Sequence, residues 1–288
     1  MFEPRDEPRA GSSIETRLLA VDDGLARPRF DRLATEEPLE IRLRAGAETR
    51  TVAITMRTPG ADFELAAGFL YGEGVIGGPE DVARISYCVD VPAEQQYNTV
   101  NVDLAGESLP PLDALERHFT MTSACGVCGK ANIEALRLRG VDAIVSEARV
   151  DAPTILSLPG RLRSAQGIFE KTGGLHAAAL FDLSGKLLAL REDVGRHNAM
   201  DKLVGWALLN RRLPLDDRIV MVSGRSSYEL VQKAAAAHIP IMCSVSAPSS
   251  LAVELARSFG VTLIGFLRDS RFNVYANDER LVLEVPAP

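Results

Sequence analysis

The sequence predicts an α/β fold, with a layered sheet domain preceded by a small α+β unit. Three observations predict it. After Leu158, apolar runs with strand character alternate with apolar stripes at helical spacing. Before Pro110, two strands of alternating polarity lead into one helix and then two weaker strands. Proline-bearing seams at Leu109-Pro110-Pro111 and at residues 151–159 separate the blocks.

The elements follow in order. Residues 1–35 are charged and without a clear period, and they read as a flexible arm with one short strand at 18–21. Leu39, Ile41 and Leu43 alternate with polar residues, as do Val52, Ile54 and Met56, so the pair reads as a hairpin turning at Gly46. Asp62 is placed to cap a helix whose Phe63, Ala66, Ala67 and Leu70 share one face. Strands are expected at 85–89 and 99–104, which completes a small α+β domain over 36–110. Residues 111–157 read as a linker, with helices expected at 112–119 and 132–139. Residues 158–288 form the layered domain. Its expected helices are 162–169, 196–209, 226–238 and one carrying Leu251, Leu255 and Phe259. Its strands are 175–182, 187–191, 219–222, 239–245, 261–267 and 273–276. Crossover helices between strands imply a parallel or mixed sheet with helices on its faces.

Charge and composition narrow the function. The 288 residues carry 32 Lys+Arg against 39 Asp+Glu, a net charge of −7. That balance argues against general nucleic-acid binding, which needs a basic face. No apolar run approaches the ~18 residues of a membrane span. The first ten residues lack the apolar core of a signal peptide, so the expected location is the cytoplasm. In that compartment the four cysteines, Cys88, Cys125, Cys128 and Cys243, stay reduced. Cys88 and Cys243 sit in apolar strands and read as inert core thiols.

Chemistry concentrates in four segments. Thr122-Ser123-Ala124-Cys125-Gly126-Val127-Cys128-Gly129-Lys130 sets two thiols among small residues, beside a lysine and before a predicted helix. Those neighbours favour the thiolate, which attacks disulfides, binds metal or accepts sulfane sulfur. By itself the C-x-x-C leaves open a zinc site, a redox dithiol, an inert loop and nucleophilic sulfur chemistry. The segment from Glu192 through Asp193, Arg196 and His197 to Lys202, and the segment Ser223-Gly224-Arg225-Ser226-Ser227-Tyr228, each join a strand to a helix. Helix N-termini with an arginine at the carboxyl edge of a sheet suit phosphate, although Ser223 and Ser226 also suit plain helix capping. The fourth segment, Phe266-Leu267-Arg268-Asp269-Ser270-Arg271, offers two arginines to phosphates and an aromatic ring to a base; an edge hairpin with solvated arginines is the alternative. His176, after Gly173-Gly174, stands at a strand start near the same edge. Asp193 and His197 are read as groups that order the pocket.

After Leu158 the element order resembles the cytidine-deaminase fold, a three-layer arrangement. In that family the positions of His197-Asn198-Ala199 and Ser223–Ser227 carry H-x-E and P-C-x-x-C. This sequence lacks that glutamate and both cysteine ligands, so the resemblance implies a deaminase-like scaffold with no catalytic zinc. From Glu37 to Leu283 the chain resembles the FdhD family of formate dehydrogenase accessory sulfurtransferases. The resemblance rests on Thr122–Lys130, Gly173-Gly174-Leu175-His176-Ala177-Ala178, Glu192–Ala199, Ser223–Glu229 and Arg271-Phe272-Asn273-Val274-Tyr275, read together and in this order. It implies a cytoplasmic, homodimeric sulfur carrier. Such a protein takes sulfane sulfur from a cysteine desulfurase and passes it to molybdenum bis(molybdopterin guanine dinucleotide) before that cofactor enters formate dehydrogenase. Carried over residue by residue, Cys125 bears the persulfide and Cys128 assists. Phe266, Leu267, Arg268, Asp269, Ser270 and Arg271 contact the cofactor, with Arg225, Ser226 and His197 as further candidates for its guanine nucleotide tails. The competing reading is a chaperone that holds the cofactor without sulfur chemistry.

Overall fold

The computed structural model describes residues 11–89, 92, 97–112, 136, 137 and 140–283. Cys125, Cys128, Lys130 and the helix expected at 112–119, Leu112 apart, lie outside the described residues. Of the helix expected at 132–139, Leu136 and Arg137 are described, and both are helical.

The chain opens with a two-stranded antiparallel ribbon, β1 (Ser13–Asp22) and β2 (Leu25–Ala34), turning at Asp23-Gly24. This corrects the single short strand at 18–21. Asp-Gly with positive φ at both residues (49° and 81°) is a strong hairpin signal. It is masked in the sequence because apolar and charged residues fall on both faces of both strands.

Next comes a four-stranded sheet of order β4-β3-β6-β5. It comprises β3 (Glu37–Ala45), β4 (Glu48–Arg57), β5 (Val82–Tyr87) and β6 (Thr99–Leu104). Leu39, Ile41 and Leu43 of β3 are fully buried and pack with Val100 and Val102 of β6. Helix α1 (Asp62–Gly72) covers this face with Leu65, Ala66 and Leu70. Asp62 does not cap α1. Ala61 holds that position at φ 57°, and Asp62 instead receives Arg57 in a buried two-point ion pair, Nε to Oδ1 at 3.1 Å and Nη2 to Oδ2 at 3.2 Å. A charge so deeply buried is held only by such pairing.

The larger sheet has six strands in the order β13-β12-β11-β10-β8-β9. These are β8 (His176–Asp182), β9 (Leu187–Asp193), β10 (Arg218–Val222), β11 (Ile241–Ser244), β12 (Thr262–Arg268) and β13 (Arg271–Ala276). The β10, β11 and β12 strands run parallel and the rest antiparallel, so the sheet is mixed. Alternation along β8 sends Ala178 and Leu180 into one core, and Ala177, Ala179 and Phe181 into the other. The first core lies under α4 (Arg196–Leu209), α5 (Tyr228–Ala236) and α6 (Ser250–Phe259). The second lies under α2 (Ala152–Ala165), followed by the short α3 (Gly167–Thr172). A short parallel pair, β7 (Val150–Asp151) with β14 (Leu281–Val282), ties the start of α2 to the chain end.

Helix α2 corrects the seam placed at 151–159, and it runs across the expected domain boundary at 157/158. Asp151 caps it by accepting from Thr154 N at 2.8 Å. Pro153 fits the first turn, where no N–H is needed. Pro159 sits inside the helix, and the lost backbone bond is outweighed by burial of Ile155, Leu158 and Leu162 on the sheet. The expected helix at 162–169 is therefore two elements, broken at Gln166.

The two sheets are locked together by α1 and α4. Their backbones touch at Gly68 and Gly205. A Cβ on Gly68 would fall 1.9 Å from Asp201 O, and one on Gly205 1.8 Å from Glu64 O. Only glycine permits that approach. Around the crossing, Arg191 grips Glu64 (Nη2 to Oε1, 2.7 Å), and Lys202 Nζ meets Asp193 Oδ2 at 2.6 Å. Among the described residues no helix is long and apolar enough to cross a membrane.

Candidate functional site

The carboxyl ends of β10, β11 and β12 and the start of β8 form one edge of the large sheet. Ligands of open α/β sheets bind at such an edge. On the α2 side it opens into a cavity of about 720 Å³. Met221, Val245, Leu267, Leu162 and Phe169 are among its apolar lining, and Arg163, Arg268, Asp269, His176 and Ser223 among its polar groups. A cavity of this size, apolar with a few convergent polar groups, suits a ligand as large as a nucleotide.

The structure divides the segment 266–271. Leu267, Arg268 and Asp269 line the cavity. Arg268 is exposed at its mouth, donating from Nη1 to Val245 O and, at 3.1 Å, to Leu267 O. Phe266, Ser270 and Arg271 lie outside the lining. Phe266 has φ 52° at an irregularity between β12 and β13 and is 39% exposed. A phenylalanine at positive φ is held by its surroundings, here by a bond from its N–H to Ser246 O at 3.2 Å. Ser270 and Arg271 stand on the exposed β12–β13 turn.

His197 is placed elsewhere. It lies in the first turn of α4, and its Nε2 is 2.7 Å from Glu229 Oε2 and 3.2 Å from Ser227 Oγ, both at the start of α5. The imidazole beside Glu229 holds that carboxyl below the usual range. Neither N-cap residue, Gly195 of α4 or Ser227 of α5, makes a side-chain cap bond, and the two helix N-termini converge here. Ser226 is fully buried and Arg225 exposed. Among the described residues, Ser226 Oγ and Arg196 Nε are buried without a hydrogen-bond partner. Orphaned donors beside uncapped helix ends fit an anion.

His176 joins the two places. It lines the cavity, and a Cβ at Gly224 would lie 3.5 Å from its Nδ1 and 3.9 Å from Arg196 Cδ. Burial, then the positive charge of Arg196 and the neighbouring His197 imidazole, push its pKa down and favour its neutral form. Asp193 is not in the cavity. Fully buried, it accepts from Thr58 N at 3.1 Å, Gly195 N at 2.8 Å and Asn198 Nδ2 at 3.0 Å. It therefore shapes the turn entering α4 and fastens that turn to the smaller sheet. Cys243 is buried, and burial pushes its thiol well above the usual range; Cys88 is buried too.

Sequence reasoning missed Arg163, Gln166 and Phe169 as cavity residues, because it placed a helix across the α2–α3 break that carries them there. Gln166-Gly167 is the signal that could have revealed that break. It also did not single out Glu229 as the partner of His197. Two strand-to-helix turns side by side were the available sign.

Residues 34–282 match the model of the FdhD/NarQ family. A protein of Streptomyces avermitilis named sulfur carrier protein FdhD is 50% identical over 275 residues, covering 94% of this chain and 96% of its own. Those of Mycolicibacterium paratuberculosis (51% over 267 residues, 91% and 96% covered) and Sulfolobus acidocaldarius (44% over 269 residues, 93% and 98% covered) carry the same name. A crystal structure described as a formate dehydrogenase accessory protein from Desulfotalea psychrophila superposes with a TM-score of 0.72. It is 27% identical and covers 94% of this chain and 99% of its own.

Proposed function

We propose, from the premise that the chain belongs to the FdhD/NarQ family, that it is a sulfur carrier serving formate dehydrogenase maturation. In this reading Cys125 attacks the persulfide of a cysteine desulfurase. The outer sulfur moves to Cys125 as the desulfurase thiolate leaves, so the exchange is neutral in electrons. Cys128 assists. The acceptor is molybdenum bis(molybdopterin guanine dinucleotide), bound as substrate and sulfurated before insertion into the dehydrogenase.

The observation that supports this reading best is the pairing of the cavity with orphaned donors at one sheet edge. A dinucleotide tail needs an apolar slot for its base and fixed positive groups for its diphosphate. Leu267, Phe169 and Met221 offer the slot, and Arg268 and Arg163 stand at it. Arg196 Nε, Ser226 Oγ and the first turns of α4 and α5 offer a second anion seat near His176. Arg225, His197, Phe266, Ser270 and Arg271, which the sequence marks, complete the proposed set. The scaffold is read as deaminase-like, with the anion seat standing where that fold carries its metal.

Mass spectrometry after incubation with a desulfurase and cysteine tests the carrier role. A reductant-labile adduct of one sulfur on Cys125, lost in Cys125→Ala, is expected. No adduct on Cys125 or Cys128 with an active donor reduces the function to holding the cofactor. Arg268→Ala is expected to weaken guanosine diphosphate binding while leaving adduct formation intact, measured by calorimetry.

A further inference from the structure

The α2–α3 break brings to the cavity a donor that the folded chain leaves unused. Gln166 lines the cavity and is only 5% exposed. Its backbone is fully committed: the N–H donates to Arg163 O at 3.2 Å, and the C=O accepts from Glu170 N at 3.0 Å. The residues after it are fixed to the sheet, because Glu192 on β9 accepts from Ile168 N at 3.1 Å and Phe169 N at 2.8 Å. That carboxylate takes up N–H groups at the start of α3, so this helix end has little to offer an anion. What stays unspent is the side chain of Gln166. Among the described residues its Nε2 is buried without a hydrogen-bond partner. Such a donor is costly to keep, and most buried donors in folded proteins are paired.

The neighbours of Gln166 narrow the class of ligand that would use it. Phe169, Leu267 and Met221 give the cavity an apolar lining against which a flat ring packs. Arg163 and Arg268 line the same cavity, and they hold phosphate far better than a neutral amide does. The amide is suited instead to the polar edge of a base. Its unpartnered end is the donor, so it calls for an acceptor. Beside N7, guanine presents the O6 acceptor, whereas adenine presents the N6 amino donor. An amino group against Nε2 sets donor against donor, and a carbonyl there satisfies it.

We propose that Gln166 is a specificity-determining residue of the cavity: its Nε2 donates to the ring carbonyl of an oxopurine nucleotide and discriminates against aminopurine nucleotides. The inference rests on the reading of this cavity as the seat of a nucleotide tail, and it adds the residue that reads the base. The last side-chain torsion of glutamine is soft, so the amide turns to meet the ligand at little cost. The unpaired donor is then a cost carried by the free protein and relieved when the right base binds. A base without the carbonyl leaves that cost in place, which is how a site built to donate a hydrogen bond rejects an analogue unable to accept it.

Calorimetry on the full-length protein with guanosine, inosine and adenosine diphosphates tests the proposal. Guanosine and inosine diphosphates share the carbonyl, so the wild type is expected to bind them within about threefold of each other, and adenosine diphosphate about tenfold or more weaker. Gln166→Met keeps the length of the side chain and removes the donor, and it is expected to bring all three nucleotides within about threefold. Its urea unfolding midpoint is expected to be no lower than that of the wild type, because no bond within the protein is lost. A clear drop would make the amide a structural tie and overturn the proposal. An unchanged base preference in Gln166→Met, or inosine diphosphate bound as weakly as adenosine diphosphate, also overturns it and leaves the nucleotide reading of the cavity standing. A wild type that binds none of the three, or binds them equally well after Arg268→Ala, removes that reading and this inference with it.

Discussion

The chain builds two antiparallel hairpins in succession, and they meet opposite fates. In β3–β4 the alternating residues Leu39, Ile41 and Leu43 are at 0% exposure, covered by α1 and flanked by β6. In β1–β2 an equally long pair leaves Leu19, Val21, Leu25 and Phe30 more than 60% exposed. Both are closed by tight glycine-containing turns, at Gly46 and at Asp23-Gly24. Turn chemistry and strand propensity therefore make a hairpin in either place, but only a third element makes it core. The first hairpin finds that element in its own chain. Among the described residues, the second packs against the short α3 and joins no core cluster.

The comparison can be tested by removing what covers the first hairpin. The largest effect is expected at the α1–α4 crossing. Gly205→Ala puts a methyl within 1.8 Å of Glu64 O, so the helices must part. A loss exceeding about 4 kcal/mol is expected in urea unfolding, enough to leave little folded protein. Asp193→Ala strands Lys202, whose Nζ is buried 2.6 Å from that carboxylate, at an expected cost of about 3–5 kcal/mol by the same measurement. Ile41→Ala in the covered hairpin is expected to cost about 2–5 kcal/mol, as a cavity in a packed core does.

A smaller effect is set by pH. Asp201 pairs with Lys233 at 2.6 Å, yet its burial raises its pKa from 3.8 to about 6. Between those values the folded chain holds a proton that the unfolded chain has released. This group's contribution to stability therefore falls as pH rises from about 4 to about 6. Glu40 and Glu229, whose pKa values are lowered, act in the opposite sense at lower pH. The difference between wild type and Asp201→Asn, followed by urea unfolding across that window, isolates the Asp201 slope. The variant is expected to be less stable overall, because it leaves Lys233 without its charge partner, and to lack that slope. Smallest of all, Leu19→Ser on the exposed ribbon is expected to move the unfolding of the body by less than about 0.5 kcal/mol. A large loss there would mean that the ribbon is covered in solution.

Much of the architecture was legible because it is local. The helix over Arg196–Leu209 and the strands of the large sheet follow from spacing alone, and the motif order pointed to the family. Two of the misreadings share one cause. Pro159 ends a helix on propensity, yet three buried apolar side chains carry α2 through it. Asp62 has the residue type of a helix cap, yet Arg57 claims it as the partner of a buried charge. In each case a contact absent from the local sequence outweighs a local preference of about 1–3 kcal/mol.

The candidate site follows the same rule. By itself the sequence marked the candidate segments: the C-x-x-C, the two strand-to-helix turns and the 266–271 arginine segment. Tertiary structure decided how the described ones meet. It set Leu267, Arg268 and Asp269 around a cavity with Arg163 and Phe169, and it turned His197 away toward Glu229. It also left Ser226 Oγ and Arg196 Nε buried and unpaired. Residue type and spacing are set along the chain, whereas burial, pairing and cavity shape depend on neighbours dozens of residues away. Those neighbours meet only once the sheet has brought its strand ends to one edge.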